Sequence, residues 1–147
     1  MDRLVSESTD PIFKEVTYRK GTDMSAAIAT LSGAGAAPSV EVIVGHAHFG
    51  GFDLTLFDAT GRNPQKIGEG VTSDNTPDVF PFPKPLADLN GCTIFWRATI
   101  ASPTGTPNEQ FSIFVRVLQG NNIAGSDTQS GPVDGPSPKG FIRLAVE

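Results

Sequence analysis

Both histidines of the chain, His46 and His48, are separated by one residue, and Asp53 follows shortly after them. Alternate side chains of a β-strand point to the same face, so the two imidazoles are expected on one side of a strand. Gly50 and Gly51 predict a two-residue hairpin turn, because glycine adopts the positive φ angles that such turns need. This turn places Asp53 opposite His48. Two histidines and a carboxylate are the ligand set of a transition-metal centre, so His46, His48 and Asp53 are the candidate metal site.

Two other interpretations of the histidine pair are kept. Cupin-type metal proteins also carry a His-x-His pair on a strand, but they add a glutamate a few residues later and a third histidine on a later strand. This chain has only two histidines, so the pattern is incomplete. The alternatives are a structural cross-strand pair of histidine and aspartate, or a pH-sensitive contact through the imidazoles.

A second candidate site lies around the sequence SDNTPD, where Asp74, Asn75 and Asp78 offer oxygen ligands for calcium. Phe80 and Phe82 follow in a segment bounded by prolines, and we expect them to be exposed aromatics available to a ligand. Lectins with a β-sandwich fold bind sugars through such loops. The alternatives are that the Asp and Asn side chains only stabilise turns, and that the two phenylalanines close the end of the sandwich.

The single cysteine is predicted to be structural. Cys92 and Trp96 share the apolar face of a strand over 92–101, so we expect a buried, unreactive thiol and a core tryptophan. One cysteine excludes an intrachain disulfide. No Gly-rich phosphate-binding motif and no Gly-x-Ser-x-Gly motif is present in the sequence.

The predicted hairpin over 39–61 is the element that positions the histidines. It would be apolar on both faces, which predicts that an extra segment or another subunit covers its second face. One face carries Ile43, Ala47, Phe49, Phe52, Leu54 and Leu56, and the other carries Val40, Val42, Val44 and Phe57.

The other segments also read as short strands. Residues 22–37 fit a helix or a strand, and the sequence AIATLSG favours a strand or irregular structure. Three prolines make residues 79–86 an edge strand or an extended segment, while residues 120–140 form a mobile loop, a functional loop or a short edge strand around 126–129. Further strands are predicted at 13–19, 65–72, 92–101, 110–118 as the antiparallel successor of 92–101, and 141–146.

Length and composition predict one all-β domain. The 147 residues include 16 Gly and 12 Pro, and 38% of them are hydrophobic, as expected for many short strands joined by turns. We predict a single antiparallel β-sandwich of about seven or eight strands, Ig-like or jelly-roll-like, with a closed β-barrel as the alternative. The predicted organisation is a flexible N-terminal arm over 1–12 and one sandwich domain over 13–147.

The formal net charge of −5 disfavours nucleic acid and anionic membranes as partners. No signal-peptide pattern or membrane-length apolar run is evident, so a soluble, intracellular protein is expected. The leading prediction is a non-enzymatic binding or assembly module that forms homo-oligomers, without a cofactor. The alternatives are a carbohydrate-binding lectin, with or without calcium, and a metal-dependent enzyme at the His-x-His site.

Overall fold

The computed structural model describes residues 26–45, 49–72, 76–101 and 109–147. These residues form nine β-strands and a short 3-10 helix at Leu86–Asp88. The strands are β1 (Ala27–Leu31), β2 (Pro38–Val44), β3 (Phe49–Phe57), β4 (Gln65–Thr72), β5 (Asp78–Pro81), β6 (Thr93–Ala101), β7 (Gln110–Gln119), β8 (Asn122–Pro132) and β9 (Lys139–Val146). The prediction of an all-β fold is confirmed.

The strands are divided between two sheets. The five-stranded sheet has the order β1-β9-β6-β3-β4, and the four-stranded sheet has the order β5-β2-β7-β8. Neighbouring strands are antiparallel except β1 and β9, which are parallel. The described strands therefore form two separate sheets and not one closed barrel, an arrangement consistent with a β-sandwich.

One hydrophobic core is shared by the inward faces of both sheets. Buried and more exposed positions alternate along most of the strands, so one face of each sheet is buried. Trp96 is fully buried, and its indole Nε1 donates a hydrogen bond to Oδ2 of Asp127, 2.9 Å away, which links β6 of one sheet to β8 of the other. Major members of the core are Val40, Val42, Val44, Leu54, Leu56, Ile94, Trp96, Ile113, Val115, Val117, Ile142 and Leu144.

Two glycines allow the edges of the sheets to approach each other. On one side, a Cβ at Gly125 of β8 would lie 2.6 Å from the Cα of Ala29 in β1. On the other side, the ring of Phe80 in β5 occupies the place of a side chain at Gly68 of β4, and it packs edge-on against Phe52 with centroids 5.9 Å apart. Edge strands expose unpaired backbone groups, and here each edge is partly covered by the opposite sheet.

The predicted hairpin at Gly50 and Gly51 is wrong. Both glycines continue β3, where Gly50 lies opposite Ile100 and Gly51 opposite Thr99, while β2 belongs to the other sheet. Glycine is compatible with a turn and with a strand, and the sequence contains no signal that separates the two. The predicted faces are corrected as well. Ile43 was expected on the same face as Phe52, and it points outward. The residues that face the core are Val40, Val42, Val44, Phe52, Leu54 and Leu56.

Other predicted elements match the structure more closely. The segment AIATL is strand β1, the proline-rich segment contains the edge strand β5, and β4, β6 and β9 match their predicted strands to within two residues. The strand at 110–118 is β7, but it does not pair with β6, because the two belong to different sheets. Residues 120–140 contain β8, an edge strand much longer than predicted, whose polar sequence resembles a loop.

The predicted arm over 1–12 and the strand at 13–19 lie outside the described residues. The division into an arm and one domain over 13–147 therefore stays a prediction. None of the helical structure in the described residues is long and apolar enough to cross a membrane.

Candidate functional site

The predicted metal site is only partly within the described residues. His46 and His48 lie outside them, and Asp53 lies in β3. Asp53 is directly opposite Arg97 of β6, and the Nε atom of Arg97 is 2.9 Å from Oδ2 and 3.2 Å from Oδ1 of Asp53. The turn that would have set Asp53 opposite His48 does not exist, so the geometric argument for a metal site is lost. No cluster of three metal-binding side chains occurs in residues 26–45, 49–72, 76–101 and 109–147.

The predicted calcium and aromatic site is likewise divided. Asp74 and Asn75 lie outside the described residues, whereas Asp78 begins β5 and is half-buried. Phe80 and Phe82 are half-buried as well and pack against the core, contrary to the expected exposed positions. Both therefore have a packing role, and Phe80 lies at the side of the sandwich, between β5 and β4, and not at its end.

Cys92 is buried directly before β6, and its Sγ lies 3.5 Å from the carbonyl oxygen of Asp88. Burial raises the pKa of this thiol, which keeps it protonated at neutral pH. Cys92 therefore has the structural character predicted for it.

The outer face of the five-stranded sheet carries a row of four charged side chains. They lie directly opposite one another on four neighbouring strands: Lys139 on β9, Arg97 on β6, Asp53 on β3 and Glu69 on β4. The row runs from positive at one end to negative at the other. It lies in an open groove of about 500 Å³, called the charged groove below, which is also lined by Gly51, Thr99 and the segment 136–138.

The outer face of the four-stranded sheet has a different character. Six apolar side chains occupy the outward positions of its strands, and this surface is called the apolar face below. Its members are Ile43, Val79, Pro81, Phe114, Leu118 and Ile123. Polar residues occupy the other outward positions of this sheet, among them Ser39, Ser112 and Thr128. The apolar residues are candidates for a contact surface, because an outward sheet face that contacts only water normally carries polar residues.

A single ion pair lies among these apolar residues. Glu41 of β2 and Arg116 of β7 are opposite each other, with Oε1 3.5 Å from the Nη1 atom of Arg116. The guanidinium of Arg116 also lies over the ring of Phe114, 5.3 Å from its centroid. One acid and one base therefore stand side by side in the centre of the apolar face.

Neither surface was found from the sequence. The outward residues of each strand were visible as an alternating pattern, but the assignment of strands to sheets decides which of them become neighbours. Arg97 and Lys139 are far apart in the chain and meet only because β6 pairs with β9. The one available signal was the apolar character of Ile43, Phe114 and Leu118 on the polar side of their strands.

Scans of protein-family models, of curated proteins and of solved structures found no match for this chain.

Proposed function

We propose that this protein is a non-enzymatic assembly module that self-associates through its apolar face. The observation that carries the proposal is the set of six outward apolar side chains on one sheet, with one ion pair among them. Removing such side chains from water is favourable by about 25 cal/mol per Å² of apolar surface. A second copy of the chain is the occupant that this surface fits best.

The charges on the apolar face support a second copy as the partner. A two-fold symmetric interface brings the same patch of both subunits together, so the patch must be complementary to itself. Glu41 and Arg116 meet this condition, because they are neighbours of opposite charge. A two-fold arrangement can bring Glu41 of each copy against Arg116 of the other copy. We further propose that the fold is an Ig-like or jelly-roll-like sandwich, supported by the repeated crossing of the chain between its two sheets.

The size of the face indicates how tight the dimer is. Four strands about 4.8 Å apart and about seven residues long give a surface of roughly 20 by 23 Å. Two such faces would bury about 900 Å² in total, which is below the usual range of stable interfaces and within that of weak, transient ones. We therefore expect a weak dimer whose population changes between micromolar and millimolar protein concentrations.

The first prediction uses two matched pairs of exposed residues. Val79 and Ile123 belong to the apolar face and are 53% and 56% exposed, while Val71 and Ile28 lie outward on the other sheet and are 79% and 64% exposed. Val79→Lys and Ile123→Lys should each raise the dimer dissociation constant at least about tenfold, because a charge would be buried in the interface. Val71→Lys and Ile28→Lys should leave it unchanged.

Sedimentation velocity across a concentration series measures these constants. A wild-type chain that stays monomeric at millimolar concentration contradicts the proposal. Equal weakening by all four lysine variants contradicts the assignment of the interface to the apolar face.

A further inference from the structure

We propose that the charged groove binds a small carboxylate that also carries hydroxyl groups, that is, a sugar acid. The groove lies on the outer face of the five-stranded sheet, opposite the apolar face. The proposal is therefore independent of self-association.

The positive end of the groove is built to receive an anion. Arg97 and Lys139 stand directly opposite each other on β6 and β9, an arrangement of like charges that is unfavourable by itself. Among residues 26–45, 49–72, 76–101 and 109–147, Asp53 accepts from Nε of Arg97, and the two η nitrogens remain for another acceptor. Within the described part of the chain, the ammonium group of Lys139 has no side-chain partner. A carboxylate bound between these groups would form charge-assisted hydrogen bonds with both.

The rest of the groove supplies groups that recognise hydroxyls. Asp53 and Glu69 keep acceptor lone pairs beyond those used by Arg97 and by Lys66, whose Nζ lies 2.6 Å from Oε1 of Glu69. The hydroxyl-bearing residues Ser137 and Thr99 also line the groove. A ligand with a carboxylate at one end and hydroxyls at the other matches this distribution of charge.

The shape of the groove fits a ligand of monosaccharide size. Gly51 forms part of its floor, and a Cβ at that position would contact nothing within 4 Å, so the space above β3 is open. The wall at 136–138 contains two prolines, which restrict its backbone, and the Pro138 carbonyl accepts a 3.0 Å hydrogen bond from the amide of Ala98. A volume of about 500 Å³ lies within the range of small-molecule sites.

The test is an NMR titration of the full ¹⁵N-labelled chain with three probes at equal ionic strength: glucuronate, glucose and acetate. Glucuronate should shift the amide signals of Gly51 and Thr99 saturably, with a dissociation constant in the millimolar range or below. Glucose lacks the carboxylate and acetate lacks the hydroxyls, so each should bind at least about tenfold more weakly. Equal binding of acetate or of glucose overturns the proposed ligand class, and no saturable shift with glucuronate overturns the site.

Three variants complete the experiment. Arg97→Gln and Lys139→Gln should each weaken glucuronate binding at least about tenfold. Lys139→Gln leaves the pair of Asp53 and Arg97 intact, so the test remains valid even if the loss of Arg97 disturbs the sheet. Arg62→Gln removes the same charge at an exposed turn outside the groove and should leave binding unchanged. Undiminished binding by Lys139→Gln would overturn the proposed role of the cationic pair.

Discussion

Asp58 organises the turn between β3 and β4 through a dense set of hydrogen bonds. Its Oδ1 accepts from the hydroxyl of Thr60 at 2.5 Å, from the amide of Thr60 at 2.9 Å and from the amide of Arg62 at 3.0 Å. Its Oδ2 accepts from Nδ2 of Asn63 at 2.5 Å. The hydrogen bonds from Thr60, then those from Asn63 and Arg62, hold the pKa of Asp58 well below its usual value.

This lowered pKa predicts a pH-dependent contribution to stability. A carboxyl group whose pKa is depressed by folding stabilises the native state fully above its ordinary pKa, and this contribution is lost as the pH falls through the folded value. Asp58→Asn should therefore lower the melting temperature at pH 7, by about 2–4 °C. The difference from wild type should shrink below pH 3.8, the ordinary value for this group.

Thermal unfolding followed by circular dichroism from pH 7 to pH 2.5 measures this difference. A gap between wild type and Asp58→Asn that stays constant down to pH 2.5 would contradict the role given to the ionised carboxylate. Asp88→Asn is a suitable control, because it removes an exposed carboxylate outside this network.

At the scale of the elements, the contact between β1 and β8 depends on the absence of a side chain at Gly125. A Cβ there would approach the Cα of Ala29 and the carbonyl oxygen of Ile28 to within 2.7 Å, and backbone atoms of a paired strand cannot move aside cheaply. Gly125→Ala should lower the free energy of unfolding by about 1–3 kcal/mol, as expected for overpacking.

Gly51→Ala is the matched control for Gly125→Ala, because it makes the same substitution within a strand where the new Cβ contacts nothing within 4 Å. Glycine weakens a strand interior, so this control should be neutral or slightly stabilising. Urea unfolding of both variants measures the effect. Equal stability of the two alanine variants would show that the approach of β8 to β1 does not limit the packing.

The elements also show how far the sequence could predict this protein. Alternation of apolar and polar residues over Thr93–Ala101 and Gln110–Gln119 was enough to locate β6 and β7 and to assign Trp96 to the core. Such a pattern is local, and it contains no information about which strand becomes a neighbour. The hairpin prediction failed for this reason, since β2 and β3 are consecutive in the chain but lie in different sheets.

The candidate surfaces were harder to predict than the strands. β8 has a sequence rich in Gly, Ser and Asp, and it is ordered as a strand because ten of its residues pair with β7. This tertiary pairing overrides the low intrinsic preference of these residues for a strand. The charged groove and the apolar face both depend on strand pairings of this kind. They can be recognised only when the pairing and register of the strands are known.

At the scale of the whole molecule, each sheet presents one candidate surface on its outer face. One sheet presents the charged groove to solvent, and the other presents the apolar face around Glu41 and Arg116. A protein that associates through the second face leaves the first face accessible on both copies. Self-association would then give a two-fold arrangement with two identical grooves pointing in opposite directions.

Self-complementary charges on the apolar face lead to a prediction about mixed assemblies. Glu41→Arg gives a face with two positive side chains, and Arg116→Glu gives a face with two negative ones. Each variant alone should dissociate at least about tenfold more readily than wild type, because like charges would meet across the two-fold axis. An equimolar mixture should recover association, since each positive face then meets a negative one.

Sedimentation velocity of each variant and of the mixture, at the same total concentration, measures the recovery. The melting temperature of each variant controls for loss of the fold, because removing one member of a partly buried ion pair is destabilising by itself. Folded variants whose mixture stays monomeric would contradict an arrangement in which Glu41 of one copy faces Arg116 of the other. Recovery in the mixture shows that these two positions of one copy lie close to those of the other, because opposite charges then meet across the interface.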